Sequence, residues 1–153
     1  MDDKLIISLI KDKKTRDEGY RLLIKQTKEK LYWQIRHIVL SHEDTDDLVQ
    51  EVYIKVFKHI KHFKGDSSLN TWIFRIAYNE SINFLNSKAN KKHNKNISLE
   101  DNMIDSLKQD FLFDANSLNL DFEKAVLSLP EKQRIVFQMR YYDEIPFKEM
   151  EKI

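Results

Sequence analysis

The sequence predicts an all-α fold, and three observations carry that prediction. Glycine and proline each occur only twice in 153 residues, too few for the many reversals of a sheet-rich fold. Apolar residues recur at three- and four-residue intervals along most of the chain. Hydrophobic residues make up 41% and charged residues 33%, which suits helices with one buried and one solvated face.

The first helix is expected over residues 3–12, where Leu5, Ile6, Leu9 and Ile10 fall at helical spacing. A second is expected from about 15 to 40, with Leu22, Leu23, Leu31, Ile35, Ile38 and Val39 as its apolar positions. The stretch SHEDTDD interrupts the pattern. Asp44 is expected to cap the third helix, with Asp47 in the capping-box position and the acids near the positive helix end. That helix, about 45–62, carries Leu48, Val49, Val52, Tyr53, Val56, Phe57 and Ile60, closed by Phe63. Gly65 is expected to end it in a left-handed conformation. Ser68 or Asn70 then caps a fourth helix over about 71–90. On it Trp72, Ile73, Ile76, Ala77 and Leu85 are expected to face the core. Phe74, Asn79, Asn83 and Asn86 are expected to face outward.

Residues 91–116 mix basic, polar and acidic stretches and read as a linker with one or two helical turns. Periodicity resumes with Leu118, Phe122, Val126 and Leu129 and stops at Pro130. A helix over about 131–142 follows, and Pro146 suits the first turn of a last one.

Several function classes are disfavoured. Without cysteine there is no disulfide framework and no thiolate metal site, which suits a reducing compartment. The start MDDKLIISLIKDKK lacks the basic and apolar segments of a signal peptide, and no apolar run approaches membrane-spanning length. A soluble, cytoplasmic protein without membrane contact is expected. His59 and His62 are spaced i, i+3, and His42 and Asp46 i, i+4, so each pair shares a helix face. No Glu-x-x-His pair, H-E-x-x-H, phosphate-binding glycine loop or G-x-S-x-G accompanies them. No catalytic residue, cofactor or metal is therefore assigned. A helical metal or enzyme domain is the third reading, and it would need His59 or His42.

Charge distribution says more than the net charge of +1. Glu43, Asp44, Asp46, Asp47 and Glu51 crowd residues 41–51 without a Lys or Arg. Lys88, Lys91, Lys92 and Lys95 lie in 81–99 without an acid, and acids return over 100–114. The acidic start DTDDLVQE reads either as a well-capped, solvated helix end or as a face that steers toward a basic protein. The lysines suit phosphates. Between them runs KGDSSLNTWIFRIAYN, residues 64–79. A small polar turn beside aromatic residues is how proteins hold an unpaired base. Gly65, Asp66, Ser67 and Ser68 offer backbone and hydroxyl groups near Trp72 and Phe74. Asn79 and Asn83 share a helix face, and asparagine pairs with base edges. The same residues also read as structure alone, with Gly65 and Ser68 as caps and Trp72 as core.

The order of these pieces resembles bacterial sigma factors of the sigma-70 family, in the extracytoplasmic-function (ECF) group. D-L-V-Q-E (Asp47–Glu51), F-x-G-x-S (Phe63–Ser67) and T-W-[LI]-x-R-I-A-x-N (Thr71–Asn79) resemble their region two. LSLPEKQRIVFQMRYYDEIPFKEMEKI, residues 127–153, is similar to the start of region four, with its L-P-x-x-x-R-x-V-F signature. The resemblance implies a helical region-two bundle over 1–92, an acidic or polar linker over 93–116 and an incomplete helical region four over 117–153, ending in a partial helix-turn-helix.

It also implies roles. The third helix would dock on the clamp helices of the largest subunit of core RNA polymerase through Asp47, Gln50, Glu51, Ile54 and Lys55, with Leu48 and Val52 in the core. The turn Lys64, Gly65, Asp66, Ser67, Ser68, Leu69 and Asn70 would receive a base flipped from the minus-ten element of promoter DNA. Phe74, Asn79 and Asn83 would lie along the DNA-facing helix, with Lys88, Lys91 and Lys92 at its basic end. Phe74 stands where tyrosine is common, so a hydroxyl contact would be lost and stacking kept. The linker would thread the polymerase cleft. Melting by capture needs no covalent chemistry, so a non-enzymatic promoter-specificity factor is implied. The alternative is a helical regulator that docks on polymerase or a DNA-bound partner without opening DNA. An anti-sigma partner is compatible with the resemblance, and a contact of region four with the polymerase flap is left open. The sequence ends inside the first helix of the region-four helix-turn-helix. Region four is therefore expected to be marginal alone and not to read a minus-thirty-five element by itself.

Overall fold

A computed structural model describes residues 2–89, 117–151 and 153, with the side chains of 88–89 and 117–120 left undescribed. Among the described residues the regular structure is helical: α1 (Asp3–Lys11), α2 (Arg16–Val39), α3 (His42–His59), a 3-10 turn (Ile60–His62), α4 (Leu69–Ala89), α5 (Ser117–Leu127), α6 (Glu131–Tyr141) and α7 (Phe147–Met150). None of these helices is long and apolar enough to cross a membrane.

Asp2 caps α1, its carboxylate accepting the Lys4 N–H at 3.0 Å. Ile6 and Ile10 are buried while Leu5 is half exposed, so the first helix buries a narrower stripe than its sequence offers. Gly19 brings α2 against α1. A Cβ there would stand 2.7 Å from Ile10 Cγ1 and 2.9 Å from the Ile10 nitrogen, so only glycine permits this approach.

α2 ends at Leu40, whose φ of 65° is left-handed, and its N–H bonds to the Arg36 carbonyl at 3.0 Å. That reversal leaves Ser41 extended, and Ser41, not Asp44, caps α3. Its Oγ accepts the Asp44 N–H at 3.3 Å. The expected Asp44 cap is corrected: Asp44 lies inside the first turn, and the helix starts at His42. After the 3-10 turn, Gly65 is left-handed at φ 79° as expected, but in the loop beyond Phe63 rather than as a helix cap. Of the two alternatives for α4, Ser68 is the cap, accepting the Thr71 N–H at 3.1 Å.

The core lies among α1, α2, α3 and α4, with Leu23, Leu31, Ile35, Val52, Val56, Ile60, Leu69, Ile73 and Ala77 closed from solvent. One polar pair is built into it. Thr27 Oγ1 donates to the Leu23 carbonyl at 2.8 Å and sits 2.9 Å from the Tyr53 hydroxyl, which therefore donates to Thr27. Burial raises the Tyr53 phenol above its ordinary pKa.

The C-terminal helices join this core. Ile135, Met139 and Ile145 belong to the same buried cluster. Gln138 Nε2 donates to the Gln34 carbonyl at 2.7 Å, and the rings of His37 and Tyr142 stack at 4.5 Å. Within the unit the Tyr142 hydroxyl donates to the Glu123 carboxylate, tying α5 to the end of α6. Burial pushes the Asp143 carboxyl up to about 7 against the opposing attraction of Lys30 on α2.

Candidate nucleic-acid interface

Two exposed rows and one turn make the candidate surface. On α3, Asp47, Gln50, Glu51, Ile54 and Lys55 are all exposed. Their spacing of three, four, seven and eight places them on one stripe. Ile54 is 52% exposed, unusual for an isoleucine inside a well-packed helix, whereas Leu48 and Val52 point into the core as expected. Lys55 Nζ lies 2.5 Å from Glu80 Oε1 on α4, so the stripe is joined to the neighbouring helix by an ion pair.

In the turn, Lys64, Gly65, Asp66 and Ser68 are exposed and Ser67 is half-buried. The Ser68 hydroxyl is not idle. It accepts the Thr71 N–H and donates to Thr71 Oγ1 at 2.8 Å, while Ser67 Oγ donates to the Ser68 carbonyl at 3.2 Å. Asn70 is partly covered, and its Oδ1 is buried without a hydrogen-bond partner among the described residues. Trp72 is half-buried and packs on Phe63, ring centroids 5.3 Å apart.

Two expected DNA contacts are corrected. Leu69 is fully buried and Phe74 is 2% exposed, so neither side chain meets a ligand in this fold. Leu69 opens α4 directly on the core, where its N–H donates to Asp3 Oδ2 of α1 at 2.8 Å. Phe74 is inside because α4 packs on both α2 and α3 and buries a wide arc, not one stripe. Its carbonyl accepts a hydrogen bond from Gln34 Nε2 at 3.1 Å. Stacking by Phe74 on a base is thereby removed from the site.

Asn79 and Asn83 are exposed on α4 as expected. Arg75 is exposed too, four residues before Asn79, and completes the row Arg75, Asn79, Asn83. The sequence reading passed over Arg75, although the four-residue spacing was its signal. Lys88 belongs to α4 with its side chain undescribed, while Lys91, Lys92 and the linker over 93–116 lie outside the described residues. His42 Nε2 stands 3.4 Å from Asp46 Oδ2, and its Nδ1 is 2.7 Å from the Tyr32 hydroxyl. Among the described residues no group of three or more His, Asp or Glu side chains converges as a metal site.

Residues 23–91 match the family model Sigma-70 region 2. The chain is similar to an ECF RNA polymerase sigma-E factor of Haemophilus influenzae, 33% identical over 55% of this chain and 44% of that protein. It is similar to an RNA polymerase sigma-H factor of Pseudomonas aeruginosa, 24% identical over 86% of this chain and 72% of the relative. It is also similar to the ECF RNA polymerase sigma-E factor of Escherichia coli, 26% identical over 98% of this chain and 81% of the relative. The chain thus spans less than half of the Haemophilus protein and about three quarters or more of the other two. The helical bundle over residues 23–91 is thus similar to Sigma-70 region 2, and the chain as a whole is similar to RNA polymerase sigma factors, two of the three named as ECF factors.

Proposed function

We propose that the chain acts as a promoter-specificity factor that binds core RNA polymerase and recognises and melts the minus-ten element. In this reading Asp47, Gln50, Glu51 and Ile54 meet the clamp helices of the largest subunit. The turn Lys64–Ser68 receives an unpaired base, and Arg75, Asn79 and Asn83 follow the strand. The chain's part is binding, with duplex opening driven by capture of the extruded base.

The observation that carries the reading is the Lys55–Glu80 ion pair. It joins the α3 row to α4 directly beside Asn79, so a protein held on α3 stands next to a strand held on α4. A left-handed, exposed Gly65 supports it, since its lack of a side chain leaves room for a flat group at the turn.

The test has two arms. The purified chain is mixed with core RNA polymerase and resolved by size exclusion beside a Gln50→Ala/Glu51→Ala double variant. Co-elution lost in the double variant supports the α3 face. Asn79→Ala is then expected to keep polymerase binding and to lose opening of promoter DNA, read with a reagent specific for unpaired thymine. Equal opening by the variant would favour the alternative, a regulator that docks without opening DNA.

A further inference from the structure

Where α3 gives way to the 3-10 turn and then to the proposed capture turn, residues 57–64 read FKHIKHFK. This is a lysine–histidine–apolar triplet, used twice and begun a third time. Its apolar places are covered: Ile60 is 1% exposed, and Phe63 is half-buried on Trp72. Lys58, His59, Lys61, His62 and Lys64 are all exposed. A 3-10 turn has three residues per turn, so side chains at i and i+3 eclipse and the triplets stack in rows about 6 Å apart. One row is apolar, one lysine, one histidine. We propose that this strip is a second DNA contact, which takes the phosphodiester backbone of the strand whose base enters the turn, and that its histidines tighten the grip as pH falls. The proposal rests on the function proposed above.

The charge exceeds what the helix end calls for. Lys58 and His59 lie in the last turn of α3, where positive groups offset the negative helix terminus. Lys61, His62 and Lys64 lie beyond it. No acid occurs between Glu51 and Asp66. Lys55, one triplet earlier, is held by Glu80. Among the described residues no ion pair or hydrogen bond holds the side chain of Lys58, His59, Lys61, His62 or Lys64. A row of cations at a regular step suits regularly spaced phosphates. It leads into the turn through Lys64, as Arg75, Asn79 and Asn83 lead out of it on α4, so the backbone on either side of a captured base has a row to follow.

The histidines add a condition. An imidazole gains its charge just below neutrality, where lysine is already charged. With both imidazoles protonated, the charge of Lys58, Lys61 and Lys64 grows from three to five. A phosphate beside an imidazolium favours its proton, so strand and proton bind together. The surrounding elements leave room for this. Tyr20 against Phe57, ring centroids 4.4 Å apart, sets the end of α3 beside the start of α2, which carries Arg16, Asp17, Glu18 and Arg21. α1 packs on the 3-10 turn and brings Asp2 at its cap, Asp3, Lys4 and Lys11. The capture turn adds Asp66, and α4 adds Arg75 and Glu80. Asp2 accepts the Lys4 N–H, Asp3 the Leu69 N–H, and Glu80 is paired with Lys55, so those three carboxylates are committed elsewhere. Among the described residues neither Asp17, Glu18 nor Asp66 pairs with either imidazole.

The test uses the full chain with core RNA polymerase and a fluorescent duplex pool carrying a short pre-melted bubble of randomised sequence, with polymerase alone as the baseline. Lys58→Gln/Lys61→Gln is expected to co-elute with polymerase but to take up bubble DNA about tenfold more weakly at low salt. Its plot of log affinity against log salt is expected to be shallower by about 1.4, two single-strand contacts of about 0.7 each. Uptake by the native chain is expected to rise roughly threefold to tenfold from about pH 7.5 to about pH 6. His59→Gln/His62→Gln is expected to lose that rise and to stay within about twofold of the native chain at the higher pH. An unchanged salt slope in the lysine variant overturns the strip as a backbone contact, and a rise retained in the histidine variant overturns the histidines' part. The proposed function stands in both cases. Loss of co-elution by the lysine variant gives the strip to an acidic protein surface and overturns it as a DNA contact. A native chain that adds no bubble uptake to polymerase alone overturns the proposed function and the strip with it.

Discussion

The Asp3 carboxylate accepts a hydrogen bond from the backbone N–H of Leu69 at 2.8 Å, across 66 positions of sequence. The head of α4 is thus capped from inside by Ser68 and from outside by α1. A charged acceptor on a helix N-terminal N–H stabilises by roughly 1 kcal/mol, somewhat more where partly buried. Asp3→Ala is therefore expected to lower stability by about 1–2 kcal/mol in urea unfolding, with Asp3→Asn losing less. An unchanged midpoint would show that Ser68 alone suffices.

The placement of Phe74 makes a sharper test. Were this ring on a DNA-facing surface, truncation would leave stability untouched. Inside the core, Phe74→Ala is expected to cost roughly 3–5 kcal/mol. Phe74→Tyr is expected to be destabilising too, by about 1–3 kcal/mol, because its hydroxyl enters a closed, filled site. Thermal unfolding of both variants reads the result, and a neutral Phe74→Tyr would argue for a path from that ring to solvent.

Gly19 separates propensity from packing. Replacing glycine with alanine inside a helix ordinarily stabilises by roughly 1 kcal/mol. Here the added Cβ would meet Ile10 Cγ1 at 2.7 Å and the Ile10 backbone at 2.9 Å, and backbone cannot step aside cheaply. Gly19→Ala is expected to destabilise by about 1–3 kcal/mol and to loosen α1, seen as faster hydrogen exchange in residues 3–11. A stabilised variant would refute the close approach of α1 and α2.

Asp143 sets a pH dependence. In the folded chain burial holds its carboxyl at about 7, above the ordinary 3.8, so the folded state binds the proton more tightly than the unfolded chain. Its contribution to stability is whole below about pH 3.8 and is lost as pH rises through about 7. Asp143→Asn cannot ionise. The variant is expected to be more stable than the native chain at pH 8, with the gap closing toward pH 4. Parallel melting temperatures across that range would mean that the carboxylate is solvated.

The helices were legible in the sequence because their apolar residues repeat with the period of the helix itself. Val52, Val56 and Ile60 on α3 need no tertiary information to be placed inside. Nor do Asp47, Gln50, Glu51 and Ile54 on its opposite face, which follow from the same repeat. Gly65 announced its left-handed turn, since glycine alone enters that region without a steric cost. Those are local facts, and the sequence by itself determined them. What it could not determine is how wide an arc each helix buries. That depends on how many neighbours a helix has, and α4, wedged between α2 and α3, took Phe74 inside along with Ile73 and Ala77. The pairing of distant polar groups was equally out of reach. Asp3 with Leu69, Lys55 with Glu80 and Thr71 with Glu149 carry no periodic signal. Such pairs exist only once the packed apolar faces have fixed which helix ends and edges lie side by side, so the tertiary structure alone decided them.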